Sequence, residues 1–338
     1  MNSQQIKKLK ELLSTPKNII ITAHKNPDGD AMGSALAMSN YLILKGHKTT
    51  VLVPNEIPDF LHWLPGNNKV LIYEEHQKKC KDVFKKADVI FCLDFNNLKR
   101  IDELGDLVRV SSAVKVLIDH HQQPEDFAQF VFSDTNYDST SHLIYDFIEL
   151  LGDKNLINKS IANCLYTGIM TDTGSFRFPS TTAKTHLVTA ALINAGAENA
   201  KVYDLIYDNN KENKIRLLGY CLSEKMKVLE EFDTAFISLT KEELSKYDYK
   251  SGDTEGVVNY ALSLEGIKFA AFFSETEDEI RISFRSKGKF SVNNFARLHF
   301  NGGGHTNAAG GNADASMDET ISKFISLLPQ YRSELLDS

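Results

Sequence analysis

The chain has 338 residues and a formal net charge of −7, with 42% hydrophobic and 25% charged residues. At about 100–200 residues per domain, this length indicates two domains, and the composition excludes a disordered or collagen-like chain. An acidic chain is not a general polyanion binder, so any contact with nucleic acid needs a local basic patch.

The cysteines and the N-terminus indicate the compartment. Cys80, Cys92, Cys164 and Cys221 show no C-x-x-C spacing, which argues against a zinc ribbon or a disulfide scaffold. The N-terminus is polar and amphipathic, unlike a signal peptide, and no run reaches the ~18 apolar residues of a membrane span. We therefore expect a cytoplasmic protein with no membrane partner.

The first half of the chain alternates short apolar strands with helices. The predicted strands are 18–23, 48–53, 88–93 and 114–118, and the predicted helices are 31–45, 75–87, 98–107, 141–152, 157–170 and 182–195. Short apolar strands between helices favour a parallel sheet that is covered on both faces. The right-handed crossover rule then makes residues 1–195 a doubly wound α/β domain.

A polar segment at 196–215 is the predicted linker, and the pattern changes after it. The predicted strands there are 226–240, 268–276 and 279–287, and the predicted helices are 256–266, 291–300 and 317–328. We expect residues 216–338 to form a smaller α+β domain with a mixed or antiparallel sheet.

Seven side chains that can bind metals or move protons follow three of the predicted strands. They are His24, Asp28 and Asp30 after the first strand, Asp94 after the third, and Asp119, His120 and His121 after the fourth. Ligands of doubly wound sheets bind at the carboxyl ends of the strands, so these side chains should converge. Two structural interpretations without metal binding stay open: Asp30 could cap the following helix, and Asp94 could be a turn residue.

Asp172 adds one more carboxylate, in the segment 171–175 that ends a predicted helix. Its alternative reading is a simple helix C-terminus with Gly174 as the cap. Five carboxylates and three imidazoles at one edge would repel one another without cations. Mixed ligands without a thiolate suit Mn²⁺, Mg²⁺ or Co²⁺, and eight candidates are too many for one ion. The pattern therefore predicts a two-metal centre of the kind that cleaves phosphoesters.

The second half carries two candidate phosphate-binding features. Residues 301–311 read NGGGHTNAAGG, in which glycine backbone N–H groups can approach an anion and the small residues that follow could open a helix. The alternative is a flexible loop. The stretch 281–297 holds five basic residues and no acidic one, and Arg285 is its best candidate for a bidentate phosphate contact.

These motifs resemble the DHH phosphoesterase family with its DHH-associated C-terminal domain. HKNPDGDAMGS at 24–34, Asp94, DHH at 119–121 and GIMTDTGSFRF at 168–178 are similar to four family motifs. FRSKG at 284–288 and NGGGHTNAAGG are similar to two signatures of the associated domain. Within the family, the chain is similar to the NrnA-like bacterial enzymes that degrade nanoRNA and dephosphorylate 3′-phosphoadenosine 5′-phosphate (pAp).

The resemblance implies a set of roles. It implies two Mn²⁺ ions, with Mg²⁺ or Co²⁺ as substitutes. The implied ligands are His24, Asp28 and Asp94 for one ion and Asp30, Asp94, His120 and Asp172 for the other, with Asp94 bridging. Asp119 would orient His120, either as a supporting ligand or from behind the ligands, and His121 would face the scissile phosphate. Asp119 or His121 would assist the leaving oxygen. The implied substrate-binding residues are Arg285, Gly303, Gly304 and His305.

The implied activity is hydrolysis of short oligoribonucleotides and pAp by water that two metal ions activate. The implied partners are short single-stranded RNA, dinucleotides and pAp, and a homodimer is a family expectation. Three alternatives stay open: a linear or cyclic dinucleotide phosphodiesterase, a manganese inorganic pyrophosphatase, and an RNA-binding module without activity. The glycine-rich loop argues against the pyrophosphatase, and the intact ligand set argues against the inactive module.

Overall fold

Residues 3–250 and 252–336 are described by a computed structural model. The chain divides into two units between Asn209 and Asn210, inside the predicted linker segment 196–215. Among the helices of the described part, none combines the length and apolar character that crossing a bilayer requires.

The first unit contains a parallel sheet and its helices. In chain order its elements are α1 (Ser3–Leu12), β1 (Asn18–Thr22), α2 (Gly29–Leu44), β2 (Lys48–Val53), β3 (Leu71–Ile72), α3 (Tyr73–Phe84), β4 (Val89–Leu93), α4 (Glu103–Val110), β5 (Val114–Asp119), β6 (Phe130–Ser133), α5 (Thr140–Leu150), α6 (Lys159–Asp172), α7 (Ala183–Asn194) and α8 (Asn199–Tyr207). The strands lie in the order β3-β2-β1-β4-β5-β6, and every neighbouring pair is parallel. The predicted doubly wound α/β fold is confirmed.

Both faces of this sheet are buried, because alternate residues of each strand enter different cores. Ile19 and Ile21 of β1 pack with Met32 of α2 in one core. Ile20 packs with Phe84 of α3 in the core on the other face. The strand order reverses between β1 and β4, which creates the crevice at the carboxyl ends where such sheets bind ligands.

The second unit contains the mixed sheet. In chain order its elements are α9 (Glu212–Tyr220), β7 (Met226–Leu229), β8 (Thr234–Leu239), α10 (Lys241–Lys246), α11 (Val257–Ser263), β9 (Phe269–Glu275), β10 (Ile280–Ser286), α12 (Val292–His299), β11 (Gly303–Gly304), β12 (Ala308–Ala313) and α13 (Met317–Leu336). The strand order is β11-β12-β10-β9-β8-β7. Only β8 and β9 pair in parallel among these described strands, so the predicted mixed sheet is confirmed.

Three predicted elements differ from the structure. The predicted strand 226–240 is two strands, because residues 230–232 form a 3₁₀ turn and Asp233 has a left-handed φ of 44°. The prediction that a helix opens at the small residues after Gly304 is wrong, since residues 308–313 form strand β12. The predicted linker segment contains α8 and the start of α9.

Close backbone approach in the hairpin of the glycine-rich motif explains why a glycine stands at position 302. A Cβ added at Gly302 would lie 2.0 Å from the carbonyl oxygen of Gly310. Any side chain there would push β11 and β12 apart, so the glycine is required by the sheet itself.

Candidate active site

The two carboxylates that follow β1, Asp28 and Asp30, have different positions. Asp28 caps α2, because its Oδ1 accepts hydrogen bonds of 3.0 Å from the backbone nitrogens of Asp30 and Ala31. The cap that the sequence could assign to Asp30 therefore belongs to Asp28. Asp30 lies in the first helical turn and is buried, with 1% of its surface exposed.

Asp94 follows β4 in a strained backbone conformation. Its φ is 63°, in the left-handed region that Asp and Asn adopt more readily than other non-glycine residues. Its backbone nitrogen donates to the carbonyl oxygen of Ile118 at 3.1 Å, which ties it to β5. The buried side chain thus has a fixed anchor next to Asp119 and His120.

The first candidate ligand group consists of His24, Asp28 and Asp94. Nε2 of His24 lies 3.5 Å from Oδ2 of Asp94 and 3.8 Å from Oδ1 of Asp28. Its Nδ1 lies 2.8 Å from the carbonyl oxygen of Lys25, to which it can donate. This backbone contact leaves Nε2 as the nitrogen that faces the carboxylates, as in most metal-binding histidines.

The second candidate group consists of Asp30, His120 and Asp172. Nε2 of His120 lies 3.4 Å from Oδ2 of Asp172, 3.5 Å from Oδ1 of Asp94 and 3.8 Å from Oδ2 of Asp30. Nδ1 of His120 lies 3.2 Å from the carbonyl oxygen of Tyr137. Asp94 therefore turns one oxygen toward each group, which is the arrangement that a bridging carboxylate needs.

Asp119 lies against His121. Its Oδ1 is 2.7 Å from Nδ1 of His121, and its buried Oδ2 has no hydrogen-bond partner among the described residues. The sequence predicts that Asp119 orients His120. In the structure it orients His121, and the Tyr137 carbonyl holds the His120 ring.

Proton affinities in the cluster follow from burial and from neighbouring charges. Burial lowers the pKa of His24, but hydrogen bonds to Asp28 and Asp94 outweigh it and raise that pKa to about 10. Burial would raise the pKa of Asp94, yet its contacts with His120 and His24 hold it well below the usual value.

The pKa values of buried Asp30 and half-buried Asp172 shift in the opposite direction. Burial and the charges of Asp94 and Asp172 raise the pKa of Asp30 well above its usual value. Burial and the charges of Asp28 and Asp94 raise the pKa of Asp172 to about 7, although His120 opposes the shift. Carboxylates packed this closely need positive charge nearby, and bound divalent cations would supply it.

These donors fit hard divalent cations. Within each candidate group one ligand atom per residue lies within 4.8 Å of the others, and the donors are carboxylate oxygens and imidazole nitrogens without a thiolate. The structure brings the eight side chains predicted for the first unit into these groups and the neighbouring group of Asp94, Asp119 and His121.

Residues 137–141 support the candidate ligands, although no motif in the sequence marks them. They donate hydrogen bonds to Asp30 and Asp94 and accept one from His120. The signal that could have marked them is Ser139, an N-cap residue directly before α5. It shows that helix amides begin there, and such amides stabilise carboxylates.

In the second unit, Arg285 of β10 lies beside the glycine-rich hairpin. Arg285 pairs across the sheet with Ala308, directly after the turn that contains His305. The backbone nitrogen of Gly304 donates to Oδ1 of Asn293 at 2.9 Å, and that of His305 donates to the carbonyl oxygen of Ala308 at 2.7 Å. These two N–H groups are therefore not free to bind an anion, contrary to the predicted backbone cradle.

Two family models match this chain, one in each of its two units. The DHH family N-terminal domain matches residues 18–169, and the DHHA1 domain matches residues 234–333. A relative from Bacillus subtilis strain 168, named bifunctional oligoribonuclease and PAP phosphatase NrnA, is 30% identical over 301 residues, covering 88% of this chain and 90% of the relative. The chain belongs to the DHH family.

Other relatives agree with this membership. The Thermus thermophilus protein of the same name is 31% identical over 86% of this chain and 83% of its own length. The crystal structure of an exopolyphosphatase-related protein from Bacteroides fragilis is 41% identical, with a TM-score of 0.93 over 99% of this chain and 98% of that one. RecJ of Thermus thermophilus in complex with Mn²⁺ shares the fold, with a TM-score of 0.53 over 98% of this chain and 54% of that one at 14% identity.

Proposed function

We propose that this protein is a metal-dependent phosphoesterase that hydrolyses short oligoribonucleotides and pAp. The carboxylate and imidazole cluster at the carboxyl edge of the parallel sheet is the observation that carries the proposal. The two relatives named oligoribonuclease and PAP phosphatase support the substrate class.

The proposal includes two Mn²⁺ ions, with Mg²⁺ or Co²⁺ as substitutes. The proposed ligands are His24, Asp28 and Asp94 for one ion and Asp30, Asp94, His120 and Asp172 for the other. Bound there, the ions would lower the pKa of a water molecule and neutralise charge on the scissile phosphate.

His121 is the proposed proton donor to the leaving oxygen. Asp119 holds its Nδ1 at 2.7 Å, so Nε2 is the nitrogen left to face substrate. A carboxylate in this position fixes the ring and stabilises the imidazolium form. Both residues are buried, which excludes bulk water from the Asp119–His121 contact.

Substrate binding in the second unit is assigned to Arg285, Gly303, Gly304 and His305. Support comes from the position of Arg285 beside the hairpin, with the half-buried guanidinium bonded to the Phe284 carbonyl through Nη1 at 3.0 Å. An arginine contacts phosphate through charge-assisted hydrogen bonds. Since the Gly304 and His305 amides are engaged, the side chains of Arg285 and His305 would contact the substrate, and Gly303 and Gly304 would form the hairpin strand beside them.

Location and assembly belong to the same proposal. Four buried free cysteines support a cytoplasmic location, where thiols stay reduced. A homodimer is the proposed assembly, and sedimentation of the purified protein tests it.

A side-by-side assay with Mn²⁺ tests the function. A dinucleotide, pAp, pyrophosphate and a cyclic dinucleotide are each offered to the wild type and to Asp94→Asn. We expect turnover of the first two substrates only, and none by the variant. Preferred cleavage of pyrophosphate or of the cyclic dinucleotide would replace the proposal with that activity. Binding of RNA without turnover would make the protein a binding module.

A further inference from the structure

The N-terminal end of α5 contacts three of the proposed metal ligands. The carbonyl oxygen of Tyr137 accepts from His120, and the backbone nitrogens of Thr140 and Ser141 donate to the two oxygens of Asp30 at 2.6 and 2.8 Å. Backbone groups make these contacts with His120 and Asp30, so they depend on the fold of the segment rather than on its side chains.

Thr140 makes one further contact through its side chain. Its Oγ1 lies 2.9 Å from Oδ1 of Asp94 and donates a hydrogen bond to it. Thr140 is fully buried, so water cannot replace this hydroxyl when it is lost. The same residue therefore touches Asp30 through its backbone and Asp94 through its hydroxyl.

The Thr140 hydroxyl contacts Oδ1 of Asp94, the oxygen that faces the second candidate ligand group. Oδ1 lies 3.5 Å from Nε2 of His120, whereas Oδ2 lies 3.5 Å from Nε2 of His24. Rotation of the carboxylate about its last bond would mix these two roles. A hydroxyl fixed on Oδ1 opposes that rotation, because the hydrogen bond is lost as the oxygen moves.

We propose that Thr140 is a positioning residue whose hydroxyl fixes the carboxylate of Asp94 so that one oxygen serves each of the two ligand groups. This inference rests on the proposed two-ion function and adds a residue to it. Supporting hydrogen bonds of this kind change metal affinity or activity by about 10–100-fold when they are removed.

Three variants of Thr140 separate its hydroxyl from the bulk of its side chain. Thr140→Val keeps the shape without the hydroxyl, Thr140→Ser keeps the hydroxyl without the methyl, and Thr140→Ala lacks both. The control is Thr189→Val in α7, where the buried hydroxyl donates to the carbonyl oxygen of Thr185 at 2.8 Å.

The measurement is a Mn²⁺ titration without substrate, followed by the EPR signal of free Mn²⁺. We expect two ions per wild-type chain and the same affinities in Thr140→Ser and Thr189→Val within about threefold, because both keep the proposed contact. In Thr140→Val and Thr140→Ala, binding should weaken about 10–100-fold for at least one ion. Thermal unfolding monitored by circular dichroism confirms that each variant is folded.

Two results overturn the proposal. Wild-type affinities in Thr140→Val would show that the hydroxyl does not hold Asp94, and an equal loss in Thr140→Ser and Thr140→Ala would assign the effect to the methyl group. If Thr140→Val does not fold, the comparison of Ser with Ala decides alone. Wild-type protein that binds two Mn²⁺ but hydrolyses neither a dinucleotide nor pAp would refute the proposed function and leave the Thr140 result standing.

Discussion

Replacing Gly168 with alanine should damage the first unit at its candidate active site. Gly168 lies inside α6, where a Cβ would lie 1.9 Å from Oγ of Ser141, 2.7 Å from its Cβ and 2.6 Å from Oδ1 of Asp30. The Ser141 hydroxyl can rotate away, but its Cβ and the hydrogen-bonded Asp30 carboxylate move only if α5 or α2 shifts.

The size of the effect follows from two opposing terms. Alanine is favoured over glycine in a helix interior by about 1 kcal/mol. Overpacking a buried site costs about 1–3 kcal/mol, and this contact lies at the severe end of that range. We expect a net loss of about 1–2 kcal/mol, or roughly 2–8 °C in Tm for a unit of about 200 residues.

Gly219 offers a matched control. It lies in helix α9, and an added Cβ would meet no heavy atom within 4 Å. Gly219→Ala should therefore leave stability unchanged or raise it by up to about 1 kcal/mol. Thermal unfolding of both variants by circular dichroism and calorimetry gives the comparison.

Metal binding gives a second, more specific readout of Gly168→Ala. Displacement of Asp30 from the Ser141 amide should weaken Mn²⁺ binding at least about tenfold, while Gly219→Ala binds like the wild type. If Gly168→Ala is instead stabilised and binds Mn²⁺ normally, α6 does not approach α5 and Asp30 as closely as described here.

Four other predictions address the metals, the substrate and pH. Chelation by EDTA should abolish activity and Mn²⁺ should restore it best, whereas turnover in protein shown metal-free by elemental analysis would contradict the two-ion proposal. Asp94→Asn, chosen because Asn also tolerates the left-handed φ, should reduce Mn²⁺ stoichiometry below two by EPR titration, and retention of both ions would exclude bridging. Arg285→Ala should raise KM for a dinucleotide, at a cost of about 1–3 kcal/mol, but affect bis-p-nitrophenyl phosphate much less; an equal loss with both substrates would remove Arg285 from substrate binding. Burial opposes ionisation of Glu243, yet hydrogen bonds from Lys225 and Tyr220 lower its pKa to about 2. Its stabilisation, at most on the order of 3 kcal/mol, is present above its unfolded pKa near 4.5 and is lost as pH falls toward 2. Glu243→Gln should thus be less stable than wild type at pH 6, with the difference shrinking toward pH 3, and a pH-independent difference would refute this.

The sequence predicts the fold where local pattern and tertiary environment agree. The strands at 18–23, 48–53, 88–93 and 114–118 are apolar where they are buried on both faces, and all four are present, although β2 begins with the polar residues Lys48, Thr49 and Thr50. Strands β3 and β11 have two residues each, too few for any periodicity. Strand β12 consists of glycine, alanine and asparagine, whose low strand propensity is overcome by pairing with β10.

In the candidate site, too, the sequence predicts some residues and misses others. Residues such as His120 and Asp94 are predictable because their chemistry is unusual directly after a strand. The role of Thr140 is not, because a threonine at a helix start is common and its contact with Asp94 joins residues 46 positions apart. Asp119 also shows the limit, since sequence alone does not decide which of two adjacent histidines it orients.

The outer strands of the two sheets affect how copies of this chain can associate. One edge of each sheet is a strand of only two residues, β3 or β11, which exposes few unpaired backbone groups to a neighbouring chain. The opposite edges, β6 and β7, have four residues each. Extension of a sheet from one molecule into another would therefore begin at β6 or β7, and a lysine or proline introduced there is the change that should suppress such aggregation during expression at high concentration.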